Sequence, residues 1–476
     1  MASARAPGAT LARARTENDE ADRVSGAGHQ YTTGSVIGAL VVIGTVLRSW
    51  RLGSAKLSFD ETFTASSARM PLGRMLAYLR AQDAHPPLDY LLRRPIALAG
   101  LSEGWLRLPS VALSVTALVV AAVWWRRYGR LGVLATLFLA ISSFAVTYSH
   151  DARMYAGLGL AGIGAAACAA VWLEASSPGH WPLVGVCAAV LGALLLQGGA
   201  ILVVPGVLAV AGCRRDRSAW RWRAAVGVGT GIWMMSWGPS FIEQARHNGH
   251  SWVPLTTPHY ALVVLNELVD SFPTLALPVL GLVVAGALLL PAGPLRRVFW
   301  TVGVGTALLP VGVGLHFHVL LPRALAFGAW APLIALAAVG DAAITRSRLV
   351  GAAAVAVICS LFAPSTLDAA KLYPAPHAAA FTAVRAEARP GDEVLLTPSW
   401  LSPMSDWYFG AQWSSGRHVE RPDLAAAGTL VGDGRWTGRA WLIVSVDYGV
   451  HVGSMKPCAP TRTLARYVLY CLSDER

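Results

Sequence analysis

Carboxylates are scarce in this sequence, and two of them stand side by side just after its first apolar stretch. Asp60 and Glu61 lie in LSFDETFTASSARM at residues 57–70, beyond the apolar run 32–49. A carboxylate beside a low-dielectric boundary is a candidate general base, because partial desolvation raises its pKa towards the working range. From position alone, Asp60 equally fits the N-cap of a following helix.

A histidine follows in DAHPPLDYLL at residues 83–92. Pro86 and Pro87 fix an extended or tightly turned start to the next apolar segment, which presents Asp83 and His85 at its rim. A single histidine at such a position is more often a hydrogen-bonded structural histidine, which is the alternative to a functional role for His85.

A third polar group lies between two apolar segments, in TYSHDARMYA at residues 147–156. Ionisable side chains within membrane spans are costly, so such positions favour a functional interpretation. The alternative is an Asp151–Arg153 pair that only marks the membrane interface. The polar side chains of this group are Tyr148, His150, Asp151, Arg153 and Tyr155.

Arg323 lies in a strongly apolar stretch late in the chain, HFHVLLPRAL at residues 316–325. Arginine stays charged and pairs with phosphate through its planar guanidinium. An Arg323 that faces the helix bundle therefore predicts an anionic ligand. An Arg323 that extends to the membrane interface would have no such role.

Membrane helices must position these residues. The chain has 476 residues, of which 54% are apolar and only 14% charged, whereas soluble domains carry about a quarter charged residues. Such a composition is typical of a protein that crosses the membrane many times. The net charge of +12 does not indicate a nucleic-acid partner, because the basic residues form short runs between apolar segments.

The basic runs predict the topology. Lys and Arg in short loops tend to stay cytosolic, and all four runs fall on one side if residues 88–100 do not cross. We expect about 11–13 transmembrane helices within residues 31–364, a disordered cytosolic tail at residues 1–30, and the polar groups above on the extracytoplasmic face. The runs are Arg126, Arg127 and Arg130; Arg214, Arg215, Arg217, Arg221 and Arg223; Arg296 and Arg297; Arg346 and Arg348.

Residues 365–476 are predicted to form a small extracytoplasmic α/β or α+β domain. This tail contains 11 basic and 11 acidic residues, and β-type runs occur at 393–396 and 441–446. Cys458 and Cys471 would form a disulfide there in an oxidising compartment. Four aromatic residues are candidates for acceptor contacts or for the domain core: Trp400, Trp407, Tyr408 and Trp413.

As an ordered set, these stretches resemble the GT-C superfamily of polyprenyl-phosphate-sugar-dependent glycosyltransferases. The similar branch is that of protein O-mannosyltransferases and lipid A aminoarabinose transferases, which is glycosyltransferase family 39-like. The chain departs from the family where Ala324 replaces the tyrosine of Pro-Arg-Tyr and His150 replaces a glutamine. The matching stretches, within about residues 35–340, are Asp60-Glu61, His85-Pro86-Pro87, RLPS at 107–110, Ser149 to Tyr155, and Pro322-Arg323.

The resemblance implies a cell-membrane glycosyltransferase of the cell envelope, mannosyltransferase-like and of hexosyl or pentosyl type. It would move a sugar, with inversion, from a polyprenyl-phosphate donor to a hydroxyl of a glycan, glycolipid or protein. The implied catalytic residues are Asp60, the general base, with Glu61 and Asp151. Those implied for the donor phosphate are Arg323, Arg153 and His85. Those implied for substrate contacts are Tyr155, His150 and Arg107.

Neither a metal nor another cofactor is required by this scheme, because a lipid monophosphate exposes fewer charges than a nucleotide diphosphate. The carboxylates would still suit a divalent cation. Two other classes of protein compete. A transporter or flippase for a lipid-linked sugar predicts two similar halves with interrupted helices, and no internal repeat is found. A non-catalytic glycan-binding membrane protein has no need for Asp60, Asp151 and Arg323 to converge in one outward-facing cavity.

Overall fold

The computed structural model describes residues 34–83, 85–247, 256–269, 275–317, 320–371, 376–389, 392–397, 404, 407–408, 418–419, 439–445, 456–464 and 467–473. The predicted tail at residues 1–30, Trp400 and Trp413 lie outside these ranges. The α-helices, in chain order, are α1 (Gly34–Ser49), α2 (Phe59–Arg69), α3 (Leu72–Gln82), α4 (Leu88–Leu98), α5 (Glu103–Trp125), α6 (Arg130–Ala140), α7 (Ser143–Ser149), α8 (Tyr155–Glu174), α9 (Trp181–Leu196), α10 (Val204–Ala209), α11 (Ser218–Ser236), α12 (Gly238–His247), α13 (Pro258–Glu267), α14 (Ala276–Leu289), α15 (Pro294–Val298), α16 (Gly305–Gly314), α17 (Trp330–Arg346), α18 (Arg348–Lys371) and α19 (Pro376–Glu387).

The described apolar helices form the polytopic α-helical fold that the composition predicts. Counted by length and composition, they give 4 spans, or up to 6 if each of two bent pairs is one span. The predicted number, about 11–13, is larger because several predicted spans are shorter apolar helices. Those shorter helices are Gly34–Ser49, Trp181–Leu196, Gly198–Cys213 and Ala276–Leu289.

Helix α8 packs against α5, α9 and the 3-10 helix Pro322–Gly328. Small residues along α8 allow this close approach. A Cβ on Gly162 would lie 1.8 Å from the carbonyl oxygen of Phe327. Glycine at this position therefore lets the 3-10 helix that carries Arg323 lie directly on α8.

Helices α2, α3 and α4 follow α1 and precede α5 in the chain. Helix α4 has 11 residues, so it is roughly 17 Å long and too short to cross about 30 Å of hydrocarbon. It packs on α2 and α5 and buries Asp89 and Arg93. Helix α4 is therefore not a separate membrane crossing. The predicted topology depends on this condition, that residues 88–100 do not cross.

The C-terminal region is a five-stranded mixed sheet with a helix, α19, packed on it. The strand order is β2-β1-β3-β5-β4; β1 is parallel to β2 and β3, and β5 is antiparallel to β3 and β4. The two predicted β-type runs are β1 and β3. Cys471 is disulfide-bonded, and the side chain of Cys458 lies outside the described set. The strands are β1 (Glu393–Thr397), β2 (His418–Val419), β3 (Arg439–Ser445), β4 (Lys456–Leu464) and β5 (Tyr467–Ser473).

A fully buried arginine in α1, Arg48, fixes the bend between α6 and α7. Its Nε donates to Ser114 Oγ at 2.9 Å, and its two Nη atoms donate to the carbonyls of Ala140 and Leu139 at 2.9 and 2.8 Å. These carbonyls lie at the end of α6, where the chain bends by 48° into α7. Arg48 thus adds side-chain hydrogen bonds to carbonyls at the end of α6, where the regular helical hydrogen-bond pattern stops. Arg48 was not among the predicted site residues, although a charge inside a predicted span was the available signal.

Candidate active site

Asp60 lies in the first turn of α2. It belongs to a group of neighbouring side chains that we call the cleft, formed by Asp60, His85, Arg153, Tyr155 and Arg323. The N-cap is Ser58, whose side chain accepts a hydrogen bond from Glu61 N, while the Glu61 side chain accepts from Ser58 N. This reciprocal capping box shows that the interpretation of Asp60 as the N-cap is wrong. The side chain of Asp60 is 34% exposed and points towards Arg323.

Arg323 meets Asp60 from the 3-10 helix Pro322–Gly328. Its Nη1 donates to Asp60 Oδ2 at 2.8 Å, and its guanidinium lies 5.5 Å from the ring centroid of Tyr155, at the start of α8. The side chain is 28% exposed. Arg323 thus faces the bundle and the cleft rather than extending along the membrane interface.

The charges around Asp60 lower its pKa. Burial alone would raise this pKa, but the positive charges of Arg153 and Arg323 outweigh burial and hold it below its ordinary value. The raised pKa predicted from desolvation is therefore wrong, because the two guanidinium groups come from distant parts of the chain. Asp60 is an ionised carboxylate at neutral pH.

Glu61 and Arg107 form a buried ion pair beneath Asp60. Both residues are almost inaccessible to solvent. Arg107 Nε and Nη2 donate to the two carboxylate oxygens of Glu61 at 2.7 and 2.9 Å. The same carboxylate accepts from the backbone N–H of Ala152 at 2.8 Å. Glu61 therefore joins α2, α5 and the segment that carries Asp151, which gives the pair a structural role.

Arg153 lies against α2 from the segment between α7 and α8. Its Nη1 donates to Thr64 Oγ1 at 2.9 Å and to the carbonyl of Asp60 at 3.3 Å. Its hydrogen bonds thus go to α2, which does not fit a simple interface pair with Asp151. The Arg153 guanidinium adds a second positive charge to the cleft beside Arg323.

Asp151, next to Arg153, is a carboxyl group of a different kind from Asp60. Its Oδ1 is buried and has no hydrogen-bond partner among the described residues. Burial, followed by the negative charge of Glu61, raises the pKa of Asp151 to about 8. Asp151 is consequently protonated at neutral pH, whereas Asp60 is ionised.

His150 and Tyr155 flank this segment on opposite sides. His150 is 3% exposed, and its Nδ1 lies 3.2 Å from the carbonyl oxygen of Ala369 in α18. Tyr155 lies under the guanidinium of Arg323. Of these two predicted substrate contacts, Tyr155 is the one beside the Asp60–Arg323 pair.

The imidazole of His85 is paired with the carboxylate of Asp83 and belongs to the surroundings of Asp60. The two side chains are 2.7 Å apart, from Nδ1 to Oδ1, and Tyr90 donates its hydroxyl to the other Asp83 oxygen. Asp83 is nearly buried, whereas the His85 side chain is 22% exposed. The electrostatic interaction with His85 is one of the causes of the lowered pKa of Asp60, so the imidazole belongs to this cleft.

A second buried ion pair, between Asp89 and Arg93 in α4, contacts the segment that carries Asp151 and Arg153. This pair was not among the predicted site residues, although the i,i+4 spacing on a helix was the available signal. Arg93 binds both Asp89 oxygens, at 3.1 and 2.8 Å, and donates to the carbonyl of Arg153 at 3.0 Å. Ser110 Oγ donates to the carbonyl of Asp151 at 2.6 Å. The backbone that presents Asp151 and Arg153 is thus fixed.

An apolar cavity of about 300 Å³ begins beside the helix that carries Arg323. Its walls come from α13, α14, α16, α17 and the π-helical turn Phe299–Val304. Gly328, the last residue of the 3-10 helix, is one of the lining residues; others are Leu265, Val279, Phe299, Val304 and Ala331. Within the ranges that the structure describes, no three His, Cys, Asp or Glu side chains are grouped to hold a metal ion.

The fold defines a class: this chain is a multi-pass membrane protein with the GT-C fold, as the sequence resemblance predicted. ArnT from Cupriavidus metallidurans in the apo state matches 92% of this chain and 97% of its own, with 16% identity and a TM-score of 0.61. ArnT bound to undecaprenyl phosphate has 15% identity, the same coverages and a TM-score of 0.59.

The archaeal oligosaccharyltransferase AglB from Archaeoglobus fulgidus has a similar fold. Its structure, in complex with an inhibitory peptide and a dolichol-phosphate, matches 88% of this chain and 70% of its own, with 10% identity and a TM-score of 0.52. No family model matches the sequence, and neither does any curated protein. With identities of 10–16%, these similarities show a shared fold.

Proposed function

We propose that this protein is a membrane glycosyltransferase that moves a sugar from a polyprenyl-phosphate donor to an acceptor hydroxyl, with inversion. The observation that carries the proposal is the Asp60–Arg323 pair, 2.8 Å apart. It places a carboxylate for a proton and a cation for a phosphate next to each other at one cleft. The sugar and the acceptor, whether glycan, glycolipid or protein, are left open.

The transfer needs one bond made and one broken at the anomeric carbon. The acceptor oxygen attacks that carbon, and its proton passes to the ionised carboxylate of Asp60. The bond between the anomeric carbon and the phosphate oxygen breaks, and the lipid phosphate departs with both electrons. Arg323 and Arg153 stabilise the negative charge that develops on the phosphate. The protonated carboxyl group of Asp151 would hydrogen-bond a sugar hydroxyl.

The apolar cavity supports a lipid-linked donor. It adjoins the 3-10 helix of Arg323 through Gly328, so a phosphate at Arg323 could continue into a polyprenyl chain lying in this cavity. Polyprenyl phosphates are also present in two of the matched structures, those of ArnT and AglB.

The basic end of the helix bundle supports an extracytoplasmic site. Helices α5 and α8 begin at the cleft, with Arg107 and Tyr155, and end at the basic runs. A cytosolic position for these runs, as the positive-inside rule predicts, places Asp60 and the C-terminal domain on the other face. The contacts that bring the runs together are Arg127–Glu174, Arg130–Asp341, Arg214 to the carbonyl of Ala175, and Arg297 to the carbonyl of Cys213.

The test uses membranes that contain the protein and a panel of polyprenyl-phosphate sugars labelled in the sugar. We expect labelled product from one donor, and Arg323→Gln should need at least about tenfold more of that donor, the equivalent of one charge-assisted hydrogen bond. Arg346→Gln, at the opposite end of the bundle, is the matched control and should behave as wild type. No labelled product from any donor, or equal donor requirements for the two variants, would contradict the proposal.

A further inference from the structure

Three consecutive residues at the start of α2 contact three different parts of the molecule. Phe59 packs against the hydrophobic core of the C-terminal domain. Asp60 binds Arg323 at the cleft. Glu61 binds Arg107 in the helix bundle. The position of Asp60 is therefore set from both sides, and one of those sides is the C-terminal domain.

Tyr408 connects that domain to the residue just before the α2 N-cap. Its hydroxyl donates to the carbonyl of Leu57 at 3.0 Å, and this bond is buried. Its ring lies 5.9 Å from that of Phe381 in α19, and Arg385 donates to its carbonyl at 2.8 Å. Tyr408 is thus anchored in its own domain while it holds the chain that enters α2.

Trp407 contacts the C-terminal end of α2. The guanidinium of Arg69, the last residue of α2, lies 3.9 Å from the centroid of the Trp407 ring, a favourable cation–π distance. Trp407 also packs against both hydrophobic clusters, that of the C-terminal domain and the one that includes Ala65 and Ala68 of α2.

We infer that Trp407 and Tyr408 are positioning residues, through which the C-terminal domain holds α2 and keeps Asp60 in its reactive place. The inference rests on the proposed function for its catalytic consequence, but not for its structural part. The domain then contributes to the chemistry without touching substrate. Tyr408 contacts Leu57, just before α2, and Trp407 contacts Arg69, at the end of α2. Loss of either contact should therefore let the helix move relative to Arg323.

The structural part is tested by hydrogen exchange of the peptide 57–69 in the purified full-length protein. Tyr408→Phe removes one hydroxyl, and loss of one buried hydrogen bond should speed exchange of this peptide by about fivefold. Trp407→Leu should do the same, and Trp407→Phe, which keeps a ring over Arg69, should restore slower exchange. Tyr470→Phe in β5 is the matched control. Unchanged exchange in both Tyr408→Phe and Trp407→Leu would overturn the inference.

The catalytic part is tested by the kinetic constants of the same variants. We expect Tyr408→Phe to lower kcat several-fold and to leave the KM for the lipid donor unchanged, because Arg323 and the apolar cavity are not altered. A variant that raises the donor KM at unchanged kcat would contradict a positioning role. If no donor is active with the wild type, the proposed function fails, and the exchange measurement still decides whether the domain holds α2.

Discussion

The carboxylate of Asp60 and the guanidinium of Arg323 are 2.8 Å apart, although 263 positions separate them in the chain. In this arrangement the cation proposed for the donor phosphate is paired with the proposed base. An incoming phosphate would compete with Asp60 for Arg323. Binding of the donor would thereby make Asp60 a stronger base at the moment when the acceptor arrives.

Replacement of Arg323 should move the acid limb of the pH profile. Asp60 acts in its ionised form, so activity is full above its pKa and falls as the pH drops through it. Arg323→Gln removes one of the charges that lower this pKa, and we expect the acid limb of kcat/KM for the donor, which reports the free enzyme, to move to higher pH. Profiles of the variant and of the control Arg346→Gln at donor concentrations well below KM test this. An acid limb at the wild-type position would contradict the contact between the two residues.

The buried Glu61–Arg107 pair should contribute strongly to stability. Glu61→Gln leaves a buried guanidinium without its counter-charge, which costs about 3–5 kcal/mol. Glu174→Gln is the matched control, because its pair with Arg127 is 35–39% exposed and such pairs contribute about 1 kcal/mol or less. Thermal unfolding in one detergent should show a large loss for the first variant and a small one for the second. Equal losses would contradict the structural role of Glu61.

Asp83 should act on donor binding through His85. Asp83→Asn keeps the shape of the side chain but removes the negative charge that holds the His85 ring. We expect about tenfold weaker binding of polyprenyl phosphate, the size of one charge-assisted hydrogen bond, and little change in kcat at saturating donor. Tyr90→Phe, which removes a hydrogen bond to the same carboxylate but leaves its negative charge in place, should have a smaller effect. Identical donor affinity in wild type and Asp83→Asn would remove His85 from the donor site.

The carboxyl group of Asp151 should make stability depend on pH. Its folded-state pKa is about 8, above the ordinary value of about 4, so the folded protein holds a proton that the unfolded chain releases. Stability therefore falls as the pH rises from about 4 towards 8. Asp151→Asn cannot ionise and should lose less thermal stability than wild type as the pH rises from about 4 to about 8. Asp216→Asn, on the exposed basic face, should follow the wild type, and a parallel pH slope in Asp151→Asn would contradict the raised pKa.

The sequence predicted much of this architecture from local signals. Long apolar runs gave the helices, and the runs at 393–396 and 441–446 became β1 and β3, because hydrophobic pattern acts over short distances. It also selected Asp60, Asp151 and Arg323 as rare charges outside the basic runs. Contacts between distant segments were not predictable in this way.

Contacts between distant segments account for three differences between the sequence predictions and the structure. The pKa of Asp60 was predicted with the wrong sign, because Arg153 and Arg323 approach it only in the folded chain. Glu61 was selected for chemistry but binds Arg107 and Ala152 N in the protein interior. Arg48 was not selected, although it holds the bend before α7. In each case the role of a charge depends on partners that sequence spacing does not reveal.

The most direct test of the account is the single-turnover transfer rate of Asp60→Asn with a bound polyprenyl-phosphate sugar. The amide keeps the shape of Asp60 but cannot accept the acceptor proton, and removal of a general base typically costs about 10²–10⁴-fold. We predict a loss of this size with donor binding retained, and wild-type rates for Asp341→Asn at the basic end of the bundle. Transfer at the wild-type rate by correctly folded Asp60→Asn would contradict the central claim.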